Sequence, residues 1–179
     1  SAGLFVQNET VLCNWTITPG LRIEHFRIDV QNQDLYFPPA PQPAKDMSGT
    51  AVLPKLGLLY RATPEWSVFG QYATGYRAPE AGQVNDSFRA QALLPGVGMV
   101  DNYIIDNPNL KPERSRGMEL GVRGRMERLS VDVVGFYNRY SNLIEDARLI
   151  ERTPLKQVFQ TVNITRAKIY GNKIKRINK

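Results

Sequence analysis

The chain has 179 residues, of which 42% are hydrophobic and 22% charged, a balance typical of ordered proteins with a core. Its lone cysteine and lone histidine, Cys13 and His25, exclude an internal disulfide, a thiolate metal cluster and most Ser-His-Asp chemistry, and we expect no enzyme and no metal site. The net charge of +6 comes from Lys and Arg mixed with Asp and Glu, which argues against a nucleic-acid partner.

Alternating apolar and polar residues predict an all-β chain of about seven strands, and no segment has a helical period over three turns. The connections are predicted to alternate in length. Tight turns lie at CNWT, TPEW and MERL, and long connections at residues 31–51, 75–115 and 142–156. The strands are expected near residues 3–12, 17–30, before 63, after 66, on either side of 126–129, and at 159–174.

All short turns therefore lie at one end of the predicted meander and all long connections at the other. This asymmetry, with strands longer than ten residues, is typical of a large transmembrane β-barrel. On the apolar faces, Tyr60 and Trp66 lie near the tight turns, and Tyr72 and Tyr137 lie toward the long connections. Two aromatic levels are expected at the two membrane interfaces, although half-buried aromatics of a soluble sheet are the alternative. Seven strands close no known bacterial barrel of this type, so we expect part of a larger one.

The faces opposite the apolar ones carry formal charge. In a barrel these side chains are predicted to face the lumen, where they form ion pairs or, alternatively, contribute to substrate conduction. They are Arg22, Glu24, Arg61, Glu119, Arg123 and Arg125.

Two proline-containing motifs bracket the second long connection. Pro79 in YRAP fixes φ and removes a donor where a strand leaves the sheet. In NPNLKPE, Asn107 is predicted to hydrogen-bond its own turn, and Leu110 offers an apolar anchor. The motifs are therefore expected at least to seat the intervening chain. We call residues 76–79 the exit box, residues 107–110 the re-entry box and residues 80–106 the rim segment.

YRAP and NPNL together resemble the boxes of TonB-dependent outer-membrane receptors, in particular the branch that takes up haem or iron from haem- and iron-carrying proteins. Stretches such as LPKLGLLYRATPEWSVFGQYATGYRAPE and VDVVGFYNRYSNLIED resemble barrel strands of that family, in the expected order. The resemblance implies location in the bacterial outer membrane, contact with its lipid, and energy delivered by the TonB complex through a plug that would also meet the lumen charges. It implies haem as transported substrate and no permanently bound cofactor.

The resemblance also implies that box residues contribute to substrate binding: Tyr76, Arg77, Ala78, Pro79, Asn107, Pro108, Asn109 and Leu110. The haem branch often has a histidine ligand between the boxes, whereas residues 80–106 contain none. Tyr103 is a possible oxygen ligand, and the alternative is an aromatic that packs in the loop or contacts a partner. Arg77 could pair with a propionate, or alternatively with a nearby carboxylate.

The resemblance covers residues 1–171, a partial barrel domain. Residues 172–179, NKIKRINK, depart from the family pattern and are expected to be a basic tail, aberrant sequence or a truncated end. Two other functions stay open at this point. One is a TonB-dependent siderophore receptor, because the histidine is missing. The other is a soluble all-β binding module for an acidic partner.

Overall fold

A computed structural model describes residues 1–29, 46–85, 87–96, 98–127 and 129–178. This part of the chain is almost entirely strand, as predicted, and no helix in it is long and apolar enough to cross a membrane. The elements are β1 (Ala2–Gln7), β2 (Thr10–Leu12), β3 (Trp15–Ile28), β4 (Met47–Arg61), β5 (Trp66–Arg77), α1 (Ala81–Asn85), β6 (Phe88–Leu94), β7 (Gly98–Ile105), β8 (Glu113–Arg125), β9 (Leu129–Thr153) and β10 (Lys156–Asn178).

The ten strands form one sheet in the order β1-β3-β4-β5-β8-β9-β10-β7-β6, with β2 also paired to β3. Because β1 and β2 lie end to end along β3, the antiparallel part of this sheet has seven rows. The predicted first strand is interrupted at Asn8, whose N–H donates to the Pro19 carbonyl over 3.1 Å. The fold class, an all-β meander of about seven strands from a barrel, is confirmed.

The tight turn between β4 and β5 forms as the sequence predicts. The Thr63 hydroxyl oxygen accepts hydrogen bonds from the N–H groups of Glu65 (3.2 Å) and Trp66 (3.0 Å), the two residues that follow Pro64 in the turn. The turn therefore satisfies its own backbone donors where the chain reverses.

The predicted third long connection, residues 142–156, is wrong. Strands β9 and β10 continue through it in antiparallel register, and the chain reverses only between Thr153 and Lys156. The ladder contains two register shifts, and Asn142 and Ala147 have positive φ angles of 56° and 52°. These irregularities and the exposed charges of residues 145–152 break the clean apolar alternation on which the prediction depended.

The rim segment is likewise not the irregular loop that the sequence suggested. It contains the short helix α1 and the β6–β7 hairpin. Strand β7 pairs with β10 in parallel, from Lys156↔Asp101 to Gln160↔Ile105. This is the one parallel pairing in the described sheet, so the rim segment continues the sheet instead of crossing open solvent.

One face of the wall is apolar and uncovered. Leu120 is 66% exposed and Tyr170 is 76% exposed. Tyr72, Met118, Tyr137 and Tyr170 lie opposite one another across four strands. At the other aromatic level, the Trp15 and Tyr60 rings lie 4.7 Å apart, and Trp66 is six residues, about 20 Å along β5, from Tyr72. This separation of the two aromatic levels is similar to the height, about 25 Å, of the lipid-facing apolar band of such barrels, which aromatic residues flank on both sides.

Two predictions concern the ends of predicted elements. The first long connection, predicted at residues 31–51, lies mainly in residues 30–45, outside the described residues. Strand β4 begins at Met47, so the last residues of that predicted connection belong to the strand. Strand β10 continues to Asn178, which pairs with Leu129, so residues 172–178 lie within the sheet. The domain boundary at residue 171 stays a prediction.

Candidate functional site

The exit box lies where β5 leaves the sheet. Tyr76 and Arg77 make the last pairs of β5, with Arg114 and Glu113 of β8. Pro79 is buried immediately afterwards. The Tyr76 ring lies 6.1 Å from the ring of Phe26, which packs over Gly49. The box therefore fixes the start of the rim segment against two neighbouring parts of the wall.

The Arg77 guanidinium is held by two carboxylates. Nη1 lies 3.5 Å from Glu113 Oε1, and Nη2 lies 3.3 Å from Glu80 Oε1. Glu113 Oε1 also accepts the Ile144 N–H over 2.7 Å, which ties the pair to β9. The structure thus shows the ion pair that the sequence left as the alternative to propionate binding. The guanidinium is half exposed, so the pair positions the side chain and adds little to stability.

Asn107 in the re-entry box forms the turn that the sequence predicts. Its Oδ1 accepts the Asn109 N–H over 3.1 Å, and its carbonyl accepts the Leu110 N–H over 3.2 Å. Its Nδ2 donates to the Thr161 carbonyl on β10 over 2.9 Å, and its N–H donates to the Val84 carbonyl of α1 over 3.1 Å. One side chain therefore closes its own turn and connects it to β10.

Leu110 is 1% exposed and Val84 is fully buried. Both are among the few buried apolar side chains of the described residues, whose sheet is otherwise a single layer. Together with Val100 they place buried apolar side chains in the rim segment and the re-entry box, with Leu110 in the anchoring position expected from NPNL. Pro108 is half-buried beside it, and Asn109 is exposed.

Asn163 holds the chain after the re-entry box, a structural role that was not predicted from the sequence. Its Oδ1 accepts the Lys111 N–H over 2.7 Å. Its Nδ2 donates to the carbonyls of Lys111 (2.8 Å) and Asn142 (2.9 Å). The one signal at this position is that an asparagine is disfavoured within a long strand unless its side chain has such partners.

Replacing Asn163 with alanine in the full-length protein is expected to release the chain after the re-entry box. Three hydrogen bonds are lost and the Lys111 backbone is left unpaired, which costs about 2–4 kcal/mol locally. Hydrogen–deuterium exchange at the Lys111 amide should accelerate about 30-fold or more. Asn109→Ala is the control, because only the backbone of that exposed residue bonds to Asn107. Equal protection in wild type and Asn163→Ala would contradict this assignment.

Tyr103 lies on β7 between two cations. The Arg89 guanidinium is 5.6 Å and the Lys156 ammonium 5.8 Å from the centre of its ring. Arg89 pairs with Asp101 at 3.0 Å and Lys156 with Glu151 at 3.1 Å. Hydrogen bonds from Gln91 and then from Arg89 lower the pKa of Asp101, so this acid stays charged. Tyr103 is half-buried between these two ion pairs. The sequence did not predict either cation beside it.

The six charges predicted to line the lumen share one face of the wall, opposite the exposed apolar face. Arg61 and Arg123 both lie opposite Ser67, and Arg22 and Glu24 lie opposite Leu53 and Ala51 of β4. Arg22 pairs with Glu24, and Arg123 pairs with Asp132 at 2.8 Å. Glu119 and Arg125 occupy the same parity on β8 as Arg123. That this face meets a lumen stays a prediction.

His25 lies near the exit box and lines one cavity together with Tyr76 and Ala78. It lies opposite Thr50, on the other face from Arg22 and Glu24, and its Nδ1 is 3.0 Å from Thr50 Oγ1. The structure brings together the two boxes, the rim segment, the C-terminal part of β9 and the N-terminal part of β10.

A seven-row antiparallel wall with one uncovered apolar face, one charged face and a structured rim segment defines part of a large transmembrane β-barrel. The family model described as TonB dependent receptor-like, beta-barrel, matches residues 1–172. The chain belongs to this family of TonB-dependent receptors.

The chain is similar to two curated relatives. It is 36% identical over 109 residues to a hemin receptor of Yersinia pestis, a match covering 58% of this chain and 16% of that protein. It is 32% identical over 89 residues to hemoglobin-haptoglobin utilization protein B of Neisseria meningitidis serogroup C, covering 50% of this chain and 10% of that protein. The chain therefore spans a minor part of these relatives.

Solved structures confirm the fold. The siderophore receptor PirA from Pseudomonas aeruginosa has a TM-score of 0.70 at 21% identity, covering 96% of this chain and 30% of PirA. The FrpB iron transporter from Neisseria meningitidis has a TM-score of 0.65 at 17% identity, covering 99% of this chain and 23% of that transporter. These similarities concern the barrel wall and not the ligand.

Proposed function

We propose that the chain is part of the wall of an outer-membrane receptor that imports haem, or iron from haem- or iron-carrying proteins, with energy from the TonB complex. The observation that carries the proposal is the rim segment, held at both ends by the YRAP and NPNL boxes, in a chain similar to a hemin receptor. TonB would act through a plug region that lies outside this chain.

The wall supports this function through its two faces. The uncovered apolar face suits the lipid of the outer membrane, and the charged face suits a water-filled lumen with a plug. The ion pairs Arg22–Glu24 and Arg123–Asp132 would help to fill the lumen side and hold the plug. A soluble binding module does not account for an apolar face with side chains as exposed as Tyr170.

The boxes contribute to ligand binding by positioning the rim segment. Arg77 and Asn107 are engaged by protein groups, and Pro79 and Leu110 are buried, so their role is to shape the site. Tyr76, Ala78, Pro108 and Asn109 complete the two boxes. Tyr103 is our candidate for the group that contacts the iron, because its phenol lies on the rim segment beside Arg89 and Lys156.

The alternative is a receptor for an iron–siderophore complex. It is favoured by the absence of histidine from residues 80–106. The same cations could then neutralise an anionic chelate. Both functions place the chain in the outer membrane, which fractionation of cells that make the full-length protein would test.

Haem titration of the purified full-length receptor tests the ligand. If Tyr103 contacts the iron, Tyr103→Phe should weaken haem binding at least about tenfold and change the haem absorption spectrum. Arg77→Ala should weaken it less, because the guanidinium already has two carboxylate partners. Unchanged affinity in both variants would remove these residues from the site. Saturable binding of a ferric siderophore without haem binding would favour the alternative.

A further inference from the structure

A buried carboxyl lies where the β6–β7 hairpin meets its base. Asp106 follows β7 directly and precedes the re-entry box, and it is 3% exposed. Its backbone carbonyl accepts a hydrogen bond from Gln160 Nε2 over 2.8 Å. Its Oδ1 has no hydrogen-bond partner among the described residues, and the same is true of Ser87 Oγ, just before β6. Two unsatisfied buried polar groups thus lie at the base of one hairpin, at a cost in free energy.

Several charged side chains on the elements around Asp106 have partners of their own. These elements are β10, β9 behind it, the start of β6, and α1 with the residue before it. The pairs are Arg148–Glu145, Lys156–Glu151, Arg89–Asp101, Glu80–Arg77 and Asp146 with Gln83. Among the described residues, no cation lowers the pKa of the Asp106 carboxyl.

Burial consequently raises the pKa of the Asp106 carboxyl, while its own backbone N–H and the nearby Ser87 hydroxyl oppose the rise in part. Ser87 is near enough for this effect, although the two side chains do not reach ordinary hydrogen-bond geometry. A protonated carboxyl would be a donor, and Ser87 Oγ is an available acceptor. The Ser87 hydroxyl can donate to the charged carboxylate or accept from the protonated one, so one hydrogen bond satisfies both groups in either state and burial decides between the two states.

We propose that Asp106 and Ser87 form a proton-controlled latch that holds the rim segment against β10. With the carboxyl protonated, its O–H donates to Ser87 Oγ and the base of the hairpin closes. With the carboxyl charged, a buried anion without a counterion favours release of the segment. The position of the latch and its effect on the segment follow from the structure, whereas its consequence for ligand access rests on the proposed function.

The direction of the pH dependence follows from linkage. The carboxyl binds its proton more tightly in the seated segment than in the released one, where its pKa is ordinary. The contribution of the latch is fully present below the ordinary aspartate pKa and is lost as pH rises through the raised one. Acid therefore favours the seated segment, and neutral or alkaline pH favours release.

A nitroxide on the hairpin tip tests the latch without any ligand. Leu93 is 73% exposed, so Leu93→Cys can carry the label without disturbing packing, in a background with Cys13→Ser and without other cysteines. The full-length receptor in lipid nanodiscs is examined by electron paramagnetic resonance as the pH is lowered from about 8 to about 4.5, so that a raised carboxyl pKa is crossed from above. The ratio of immobilised to mobile label should rise severalfold as the pH falls.

Asp106→Asn is expected to keep this ratio constant over the whole range. Asp146→Asn makes the same change in an exposed acid nearby and should leave the wild-type titration intact. Ser87→Ala should still titrate but with a lower ratio in acid, because the protonated carboxyl loses its acceptor. A flat wild-type curve, or an Asp106→Asn curve that matches wild type, would overturn the latch. An unchanged Ser87→Ala curve would overturn its acceptor. Failure to bind haem would alter none of these readings.

Discussion

Gly121→Val is expected to prevent the full-length receptor from forming a folded barrel. A Cβ atom at position 121 would overlap the Phe69 ring, with Cε1 at 2.7 Å, and would lie 2.9 Å from the Val133 carbonyl oxygen. The first contact crosses to β5 and the second to β9, so no single side-chain movement relieves both. We expect destabilisation at or above the upper end of the ~1–3 kcal/mol typical of overpacking. Folded barrel is measured by its faster migration in unheated gel electrophoresis.

Gly135→Ala is the matched control for this experiment. A Cβ atom there would meet only the Leu120 carbonyl oxygen, at 3.9 Å, which is ordinary van der Waals contact. This variant should fold to the wild-type level. A Gly121→Val receptor that migrates as fully folded protein would show that the wall adjusts, and that the close packing of Phe69 on Gly121 is dispensable.

Leu110→Ala is expected to release the rim segment while the wall stays folded. The side chain is 1% exposed, and its loss removes about 2–5 kcal/mol from a small local core. External protease should then cut residues 80–106 about 30-fold faster or more, because cleavage follows the population of the open state. Haem binding should weaken in parallel if the seated segment forms the site.

Leu93→Ala provides the comparison at the other end of the hairpin, where the leucine is mostly exposed. Its cleavage rate should match wild type, because little buried area is lost. If Leu110→Ala is cut no faster than Leu93→Ala, the re-entry box does not hold the segment through Leu110.

The wall was predictable because its physics is local. Each wall strand alternates with a period of two between the apolar face and the charged face, and turns such as TPEW carry their own proline and capping threonine. The roles of the boxes could also be predicted, since an Asn-Pro pair indicates a turn and the single leucine of NPNL indicates an apolar anchor. Asn107 and Leu110 behave accordingly.

For residues 142–156 and the rim segment, the prediction of irregular connections was wrong for a physical reason. Residues 142–156 and the β6–β7 hairpin are not sorted between lipid and lumen, so their side chains need not alternate in polarity. Their order depends on partners far away in sequence, such as β10 for β7 and Lys111 for Asn163. No local pattern shows that Asp106 is buried, because its burial depends on these distant pairings.

The parallel pairing of β7 with β10 determines the order of assembly. Wall strands meet their neighbours through short turns, so most of their loops close with little loss of chain entropy. The contacts of the rim segment, in contrast, join Asn107 to Thr161 and Asp106 to Gln160, each 54 residues apart. They cannot form until β8, β9 and β10 are in place. Non-local contacts of this kind form slowly, so the hairpin should dock onto a wall that is already built.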